Sequence, residues 1–206
     1  YSDMIVRQAG DIRRMVDEFS QFARMPAPEL AAHDLGKVLR ESVLLQDAAG
    51  GAVKFTCAIP AEGRKIVFDR GLIAQALTNL LKNAGEAVEA RLAEHPEPRG
   101  EVRAELVEDG EFALIRITDN GVGLPANRGR LMEPYVTTRE KGTGLGLAIV
   151  KKIAQDHDGA FDIEDAPEDW AEGRRGARAV IRLPIAGPDR SRDKDKAAHQ
   201  EAAAKP

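Results

Sequence analysis

The sequence predicts an α/β fold of the sandwich type, in which a mixed, mostly antiparallel sheet is covered by helices on one face. Segments with the apolar spacing of a helix are interspersed with short segments whose apolar residues alternate as in a strand. Asp109-Gly110, between two such strands, is typical of a β-hairpin, which joins antiparallel neighbours. The long helix after Asp69 is apolar along one side only, which suits a helical layer lying on a sheet.

Composition narrows the class of protein. The 206 residues leave room for one sizeable domain with appendages, and 43% apolar content is ordinary for a globular protein. The net charge of −4 argues against a nucleic-acid-binding domain, which usually carries a basic stripe. No apolar run reaches the roughly 18 residues of a membrane span, and no signal peptide is visible. The single cysteine, Cys57, follows Val53 and Phe55 in an alternating run, which predicts a buried strand position.

Residues 1–24 predict a helix that ends at Pro26 and Pro28. Apolar residues recur along it every seven positions in two interleaved series, as a seam between two helices requires. The alternative is a helix that packs on its own domain. The two series are Ile5, Ile12 and Phe19, and Met15 and Phe22.

The following elements are placed by caps, breakers and periodicity. Asp34 is the predicted cap of a helix over 35–48, and Asp69 the cap of a helix that runs to Glu94. The 23 residues from 120 to 142 have little periodicity, which predicts a functional loop or lid. The remaining predictions are strands at 53–59, 65–68, 101–108, 112–118, 160–164 and 178–185, a helix at 144–157, and a disordered or weakly helical polar tail at 187–206.

The long helix carries a polar stripe opposite its apolar side. At about 100° per residue, four polar residues fall within roughly 60° of Asn79. A solvated face is the usual explanation of such a stripe, but two asparagines four residues apart are poor helix formers. Amide oxygens suit Mg²⁺ and a lysine suits phosphate, so a binding stripe is the second hypothesis. The four residues are Gln75, Lys82, Asn83 and Glu86.

Two glycine segments follow. In Asp119–Pro125 (DNGVGLP), the glycines permit close approach of the backbone to a ligand, and Asp119 is placed to accept a hydrogen bond from an exocyclic amine. Gly142–Leu147 (GTGLGL) opens a helix, where backbone N–H groups can receive phosphate oxygens. Neither a dinucleotide fingerprint nor a P-loop fits this second segment. Each segment is weak evidence alone, whereas both in order with the asparagine stripe are hard to explain by chance.

Together these segments resemble the nucleotide-binding boxes of sensor histidine kinases. NLLKNA (79–84) resembles the N box, DNGVGLP the G1 box and GTGLGL the G2 box. The wider superfamily of ATPases includes gyrase, heat-shock protein 90 and the MutL repair proteins. In their amino-acid sequence, residues 11–28 and 131–150 most resemble nitrogen-regulation sensor kinases of the NtrY type.

The resemblance implies that the chain binds ATP and Mg²⁺, and it assigns roles residue by residue. Asn83 is expected to ligate Mg²⁺, Asn79 and Lys82 to lie near the phosphates, and Asp119 to bind the adenine amino group. In the F-box position, where phenylalanines are usual, Tyr135 is the aromatic residue present. The other residues expected to contact nucleotide are Glu86, Gly121, Gly123, Thr137, Thr138, Lys141, Gly142, Thr143, Gly144, Leu145, Gly146 and Leu147.

Two departures concern chemistry. Hydrolysing members of the superfamily carry a glutamate, as general base for water, at the position held here by Asn79, so the resemblance favours phosphoryl transfer over hydrolysis. The region Gly176-Ala177-Arg178 lacks the threonines often found in the family, which puts its contact with nucleotide in doubt.

A histidine kinase also needs a phosphoacceptor histidine, and none of the four here has the expected context. His33 precedes a helix cap, His95 ends a helix, His157 precedes Asp158-Gly159, and His199 lies in the tail. The phosphoacceptor is expected before Tyr1, so this segment should bind ATP without phosphorylating itself.

The domain boundaries expected are 1–28 for the second helix of a dimerisation domain, 29–186 for the catalytic ATP-binding domain and 187–206 for the tail. The resemblance implies a homodimer formed through the first helix, a response-regulator receiver domain of the NtrX type as partner, and a cytoplasmic segment of a sensor anchored in the bacterial inner membrane. The alternatives are a related ATPase or serine-directed kinase, and a nucleotide-binding regulatory module without catalysis.

Overall fold

The computed structural model describes residues 10, 13, 20, 25–60, 63–126, 128–133, 144–168, 170 and 175–187. Within them, seven strands and three α-helices form the domain, with a short 3-10 turn at Arg128–Arg130. The strands are β1 (Ala31–Asp34), β2 (Val53–Ala58), β3 (Lys65–Phe68), β4 (Gly100–Asp109), β5 (Phe112–Asp119), β6 (Ala160–Asp165) and β7 (Ala177–Pro184), and the helices are α1 (Leu35–Ala48), α2 (Arg70–Glu94) and α3 (Gly146–Asp156).

Five of the strands form one sheet in the order β2-β4-β5-β7-β6, and β1 pairs with β3 in a separate two-stranded sheet. β2 runs parallel to β4, whereas every other neighbour in the large sheet is antiparallel. The predicted hairpin joins β4 to β5, with Gly110 at φ 58° in its turn. The prediction of a mixed, mostly antiparallel sheet is confirmed.

The helices cover the face of the sheet on which the alternate residues Val102, Ala104 and Leu106 of β4 are buried. The intervening residues of β4, such as Arg103 and Glu105, are only half-buried and carry charge. This alternation is the period of two that a strand with one covered face requires. The core between the layers is built mostly from Leu, Ile, Val and Ala.

Both predicted N-caps are present. The Asp34 carboxylate accepts a 3.0 Å hydrogen bond from the Lys37 N–H at the start of α1. The Asp69 carboxylate accepts from the Leu72 N–H at 3.0 Å in the first turn of α2, and from the Glu29 N–H at 2.8 Å. Desolvation raises the pKa of Asp69, but these backbone donors outweigh it, and the pKa lies below its ordinary value.

Some boundaries differ from those predicted. β1 was not predicted, because AAHD has neither apolar alternation nor strand-forming residues, and its pairing with β3 is a tertiary contact. The helix predicted from 144 begins at Gly146, and the last strand is displaced by one residue at each end. The predicted first helix and the predicted tail lie outside the described residues, except for positions 10, 13, 20 and 187.

The prediction that Cys57 is buried is wrong: its side chain is exposed. β2 is an edge strand of the large sheet, and Cys57 lies near its end. Burial along the same side of the strand falls from Val53, which is buried, through the half-buried Phe55 to Cys57. The alternating pattern therefore predicted the strand and the face of the strand on which Cys57 lies. It could not predict that the covering helices end before they reach this residue.

None of the helices in the described part of the chain has the combination of length and apolarity that a bilayer crossing requires.

Replacing Asp34 by Ala should lower the free energy of unfolding by about 1 kcal/mol at neutral pH, because one N–H at the start of α1 loses its partner. The Lys37 N–H holds the pKa of Asp34 below its ordinary value of 3.8. A carboxylate with a lowered pKa stabilises the fold above its unfolded-state pKa and loses that effect as the pH falls through the folded-state value. The difference between wild type and Asp34→Ala should therefore shrink below pH 3.8. Urea unfolding at a series of pH values measures it.

The control is Lys37→Ala, which keeps the backbone donor and should leave stability nearly unchanged. A stability difference for Asp34→Ala that stays constant from neutral to acidic pH would contradict this account of the cap.

Candidate functional site

The polar stripe of α2 is present as predicted. Asn79, Asn83 and Glu86 are half-buried, whereas Lys82 is exposed. Lys82 Nζ lies 4.0 Å from Glu86 Oε1, one helical turn further along. The opposite arc of the helix is buried in the core. Its buried apolar residues are Ile73, Ala76, Leu77, Leu80, Leu81, Ala84 and Val88, and Ala87 beside them is half-buried.

The second glycine segment meets this stripe at Asn83. Gly146 is the first residue of α3, and a Cβ built on it would lie 3.7 Å from Asn83 Nδ2. The N-cap of α3 is Leu145, whose side chain is apolar and makes no capping hydrogen bond. The first-turn N–H groups of an α-helix have no partners within the helix and carry its positive dipole end. An amide side chain and a helix N-terminus therefore lie side by side.

The leucines of the same segment anchor it to the core. Leu145 is buried, and Leu147 is half-buried and packs against the core. Gly144 has φ 71°, a conformation that L side chains rarely adopt. The leucine side chains therefore hold the segment in place, and the backbone around Gly144 and Gly146 is the part suited to contact a ligand.

Asp119 is fixed at the end of β5. Its carboxylate Oδ1 accepts hydrogen bonds from the Gly121 N–H at 2.8 Å and from the Ala177 N–H at 3.3 Å, and the residue is 5% exposed. A side chain at Gly176 would overlap the Asp119 carbonyl, so this glycine is also required for the approach of β7. The region around Gly176, whose role the sequence left in doubt, orients the carboxylate through its backbone.

The turn after Asp119 packs directly on α2. A Cβ at Gly121 would lie 2.6 Å from the carbonyl carbon of Ala87, and the Val122 N–H donates to the Ala87 oxygen at 3.2 Å. Gly123 has φ 75°, and a side chain there would meet the Arg175 Cβ at 2.7 Å. The first glycine segment is thus held between α2 and the residues before β7.

A partly buried polar network, which was not predicted from the sequence, holds this turn. Asn120 Oδ1 accepts from the Glu101 N–H and Asn120 Nδ2 donates to the Arg99 oxygen, both at 2.9 Å. Arg91, 5% exposed, donates from Nη2 to the Pro98 oxygen at 2.8 Å and to Asn120 Oδ1 at 3.5 Å. The sequence does contain a sign of the buried role of Arg91: at about 100° per residue this charged side chain falls on the apolar side of α2.

Six predicted site residues lie outside the described residues, and their placement stays a prediction. They are Tyr135, Thr137, Thr138, Lys141, Gly142 and Thr143. The first part of the predicted loop at 120–142 is described, and it is joined to β6 by an ion pair in which Arg128 Nη1 lies 2.6 Å from Asp165 Oδ2.

Over the described part of the chain, no three His, Cys, Asp or Glu side chains are grouped as a metal site would require. The side chain of Asn83 carries an amide oxygen, a donor of the kind that Mg²⁺ accepts, and its Nδ2 lies next to the N-terminus of α3. A divalent cation carried by phosphates fits this donor set.

Comparison with protein families gives an extended match. The profile of the histidine kinase-, DNA gyrase B- and HSP90-like ATPases matches residues 68–187, more than half of the chain. Nitrogen regulation protein NtrY of Azorhizobium caulinodans is 49% identical over 190 residues, which cover 91% of this chain and 24% of that protein. An NtrY-like sensor histidine kinase of Rickettsia conorii is 34% identical over 83% of this chain and 28% of its own length.

Solved structures agree with this match. Full-length ShkA in complex with AMPPNP superposes with a TM-score of 0.69 at 26% identity, over 90% of this chain and 38% of that one. The mycobacterial sensor histidine kinase MprB superposes with a TM-score of 0.62 at 27% identity, over 76% of this chain and 97% of that one. The chain spans about a quarter of the length of the curated relatives it matches.

Replacing Gly121 by Ala should push the turn away from α2, since its Cβ would lie within 2.8 Å of three Ala87 atoms, two of them in the backbone. Overpacking of this kind costs about 1–3 kcal/mol of unfolding free energy. Denaturant unfolding measures the change. Gly129→Ala is the matched control, because nothing lies within 4 Å of the added Cβ there. Equal stability of the two variants would rule out close packing of Gly121 on α2.

Proposed function

Because the chain belongs to the histidine kinase-, DNA gyrase B- and HSP90-like ATPase family and carries the ATP-binding domain of an NtrY-like sensor histidine kinase, we propose that it serves to transfer the γ-phosphate of ATP to a histidine, for relay to a response-regulator aspartate. The observation that carries the proposal is the apposition of Asn83 on α2 to Gly146 at the N-terminus of α3. This arrangement provides an oxygen ligand for a cation and N–H donors for phosphate at one point.

At the phosphate end, Asn83 would hold Mg²⁺ through its amide oxygen, and the backbone N–H groups at the start of α3 would receive phosphate oxygens. Lys82, exposed on the same stripe, can reach a phosphate as a mobile point charge. Bound Mg²⁺ supplies neutralisation of the charge on the β- and γ-phosphates. Asn79 and Glu86, half-buried on either side of Asn83, complete the polar face proposed to contact the nucleotide.

At the base end, Asp119 would accept a hydrogen bond from the exocyclic amino group of adenine. Support comes from the fixed direction of the carboxylate, since Gly121 and Ala177 both donate to Oδ1. A pre-oriented acceptor discriminates between bases because a base without the amino group offers this buried carboxylate no further donor. Gly121 and Gly123 would let the backbone of the turn approach the ring.

Transfer rather than hydrolysis is proposed from the identity of residue 79. The asparagine amide cannot take a proton from water, so a water molecule near the γ-phosphate would stay unactivated. The nucleotide is then preserved for an acceptor histidine. Of the chain's histidines, His33 packs edge-on to Phe68, His95 caps α2 and His157 is buried, which does not suit them to phosphoryl acceptance.

We also propose the division of the chain and its partners. Residues 1–28 would supply the second helix of a dimerisation hairpin, 29–186 the catalytic domain, and 187–206 a tail without a nucleotide-binding role. A homodimer through the first helix, a receiver domain of the NtrX type as phosphoryl acceptor and a membrane-anchored parent protein are supported by the similarity to NtrY.

Replacing Asn83 by Ala should remove the Mg²⁺-dependent part of nucleotide affinity, because the amide ligand is lost. The expected weakening of Mg-ATP binding is at least about tenfold, or about 1.4 kcal/mol. Calorimetric titration with and without Mg²⁺ measures it. Glu89→Ala, an exposed change on the same helix, is the control and should bind as wild type does. Unchanged Mg-ATP affinity in Asn83→Ala would count against the proposed site.

Replacing Asn79 by Glu should raise the steady release of phosphate from ATP, because a carboxylate at this position can act as general base for water. General bases typically contribute about 10²–10⁴-fold to a rate. The measurement is a phosphate-release assay. Asn79→Gln is the control, because its side chain is as long as that of glutamate but cannot act as a base. Rapid phosphate release by the wild-type chain would instead favour the related ATPases over the kinases.

A further inference from the structure

α2 and α3 pack in opposite directions, and they are tied at both ends. Asn83 of α2 lies beside Gly146 at the start of α3. At the other end, Asp69, the N-cap of α2, is bonded to His157, the C-cap of α3. At 1.5 Å rise per residue, the two points of contact are about 17–21 Å apart. His157 is therefore remote from the proposed phosphate site but connected to it through two helices.

The hydrogen bonds of His157 define its chemical state. The side chain is 1% exposed; Nδ1 lies 2.7 Å from the Ile153 oxygen, and Nε2 receives the Asp69 N–H at 2.9 Å. A carbonyl oxygen can only accept, so Nδ1 carries the hydrogen; a backbone N–H can only donate, so Nε2 carries none. The ring is thus the neutral Nδ1–H tautomer, with each nitrogen bonded to a different helix or its cap.

Both helices also contribute apolar side chains to the core. Leu77 and Leu81 on α2 and Ile149 and Ile153 on α3 are buried in the same apolar core. The hydrophobic effect is not directional, so the burial of apolar area does not by itself select one position of a helix along its axis. A hydrogen bond that weakens steeply with distance and angle fixes that position.

We propose that His157 is a positioning residue: its neutral ring holds α3 in axial register against α2, so that the N-terminus of α3 stays beside Asn83. This inference rests on the proposed nucleotide site and assigns to His157 a role in Mg-phosphate binding, not in binding the base. The base contacts come from Asp119 at the end of β5, which reaches neither helix cap. Displacements of the order of 1 Å are sufficient to weaken an oriented site of this kind.

The test uses two isosteric substitutions in the 206-residue chain. Gln places an acceptor near the position of Nε2 and can keep the bond from the Asp69 N–H, whereas Asn places a donor near Nδ1 and keeps only the bond to Ile153. Affinities for Mg-AMPPNP and for adenosine are measured by calorimetry, with the unfolding midpoint of each variant. We expect His157→Gln to bind Mg-AMPPNP within about threefold of wild type and His157→Asn to bind it at least about tenfold more weakly. Adenosine affinity should be the same in all three.

Equal Mg-AMPPNP affinity in the two variants, or an equal loss for adenosine and Mg-AMPPNP in His157→Asn, would overturn the positioning role and leave His157 as a structural residue. If wild type itself binds no Mg-AMPPNP, the proposed function fails separately. A second readout uses the wild-type chain without nucleotide, in case neither variant folds. Nitrogen-15 shifts should show an unprotonated Nε2, and the Asp69 amide should exchange its hydrogen only on global unfolding; a protonated Nε2 or rapid exchange would overturn the inference.

Discussion

Burial of the apolar side of α2 against the sheet determines where the polar residues of this helix can lie. Ile73, Leu77 and Leu81 are fully buried, and burying each such side chain contributes about 1.5–3 kcal/mol. A rotation of the helix that moved Asn79 or Asn83 would expose these residues. The site therefore needs no dedicated contact to orient the asparagines, since the hydrophobic core orients them. Arg91 also holds α2 in place, near the C-terminal end of the helix, because its side chain is buried and donates to backbone carbonyls.

The two glycine segments reach α2 from different parts of the chain, and the first depends on a missing side chain, at Gly121. Gly121 lies against Ala87, one turn beyond Asn83, while Gly146 lies beside Asn83 itself. Between β5 and β7, Gly176 permits the approach that brings the Ala177 N–H to Asp119. Glycine is destabilising in an ordinary helix or strand. Its cost is accepted at Gly121 and Gly176, because a side chain at either position would overlap the backbone of Ala87 or of Asp119.

The sequence contained enough to predict most elements and the local chemistry of the site. Asp34 and Asp69 were identifiable as caps because capping depends on residues only three positions apart. The polar stripe of α2 followed from helical geometry. Contacts between distant segments were not predictable in the same way: the pairing of β1 with β3, the bond from Ala177 to Asp119 and the exposure of Cys57 all depend on how layers meet. The contacts of Asn120 were not predictable either, because its partners at 99 and 101 lie about twenty positions away.

α2 is thus tied at three levels along its length: at Asp69 by His157, at Asn83 by the start of α3, and at Ala87 by the turn after Asp119. The segments proposed to bind the base and the phosphates do not need to touch one another, because both pack against the same helix. A nucleotide that bridges them would be recognised by the spacing between Ala87 and Asn83, which is one helical turn and cannot stretch. In such an arrangement a change at either end of α2 acts on affinity through geometry. Under the proposed function an uncharged residue suffices at position 79, since a site that holds the phosphates for an incoming acceptor has no use for a base that would activate water.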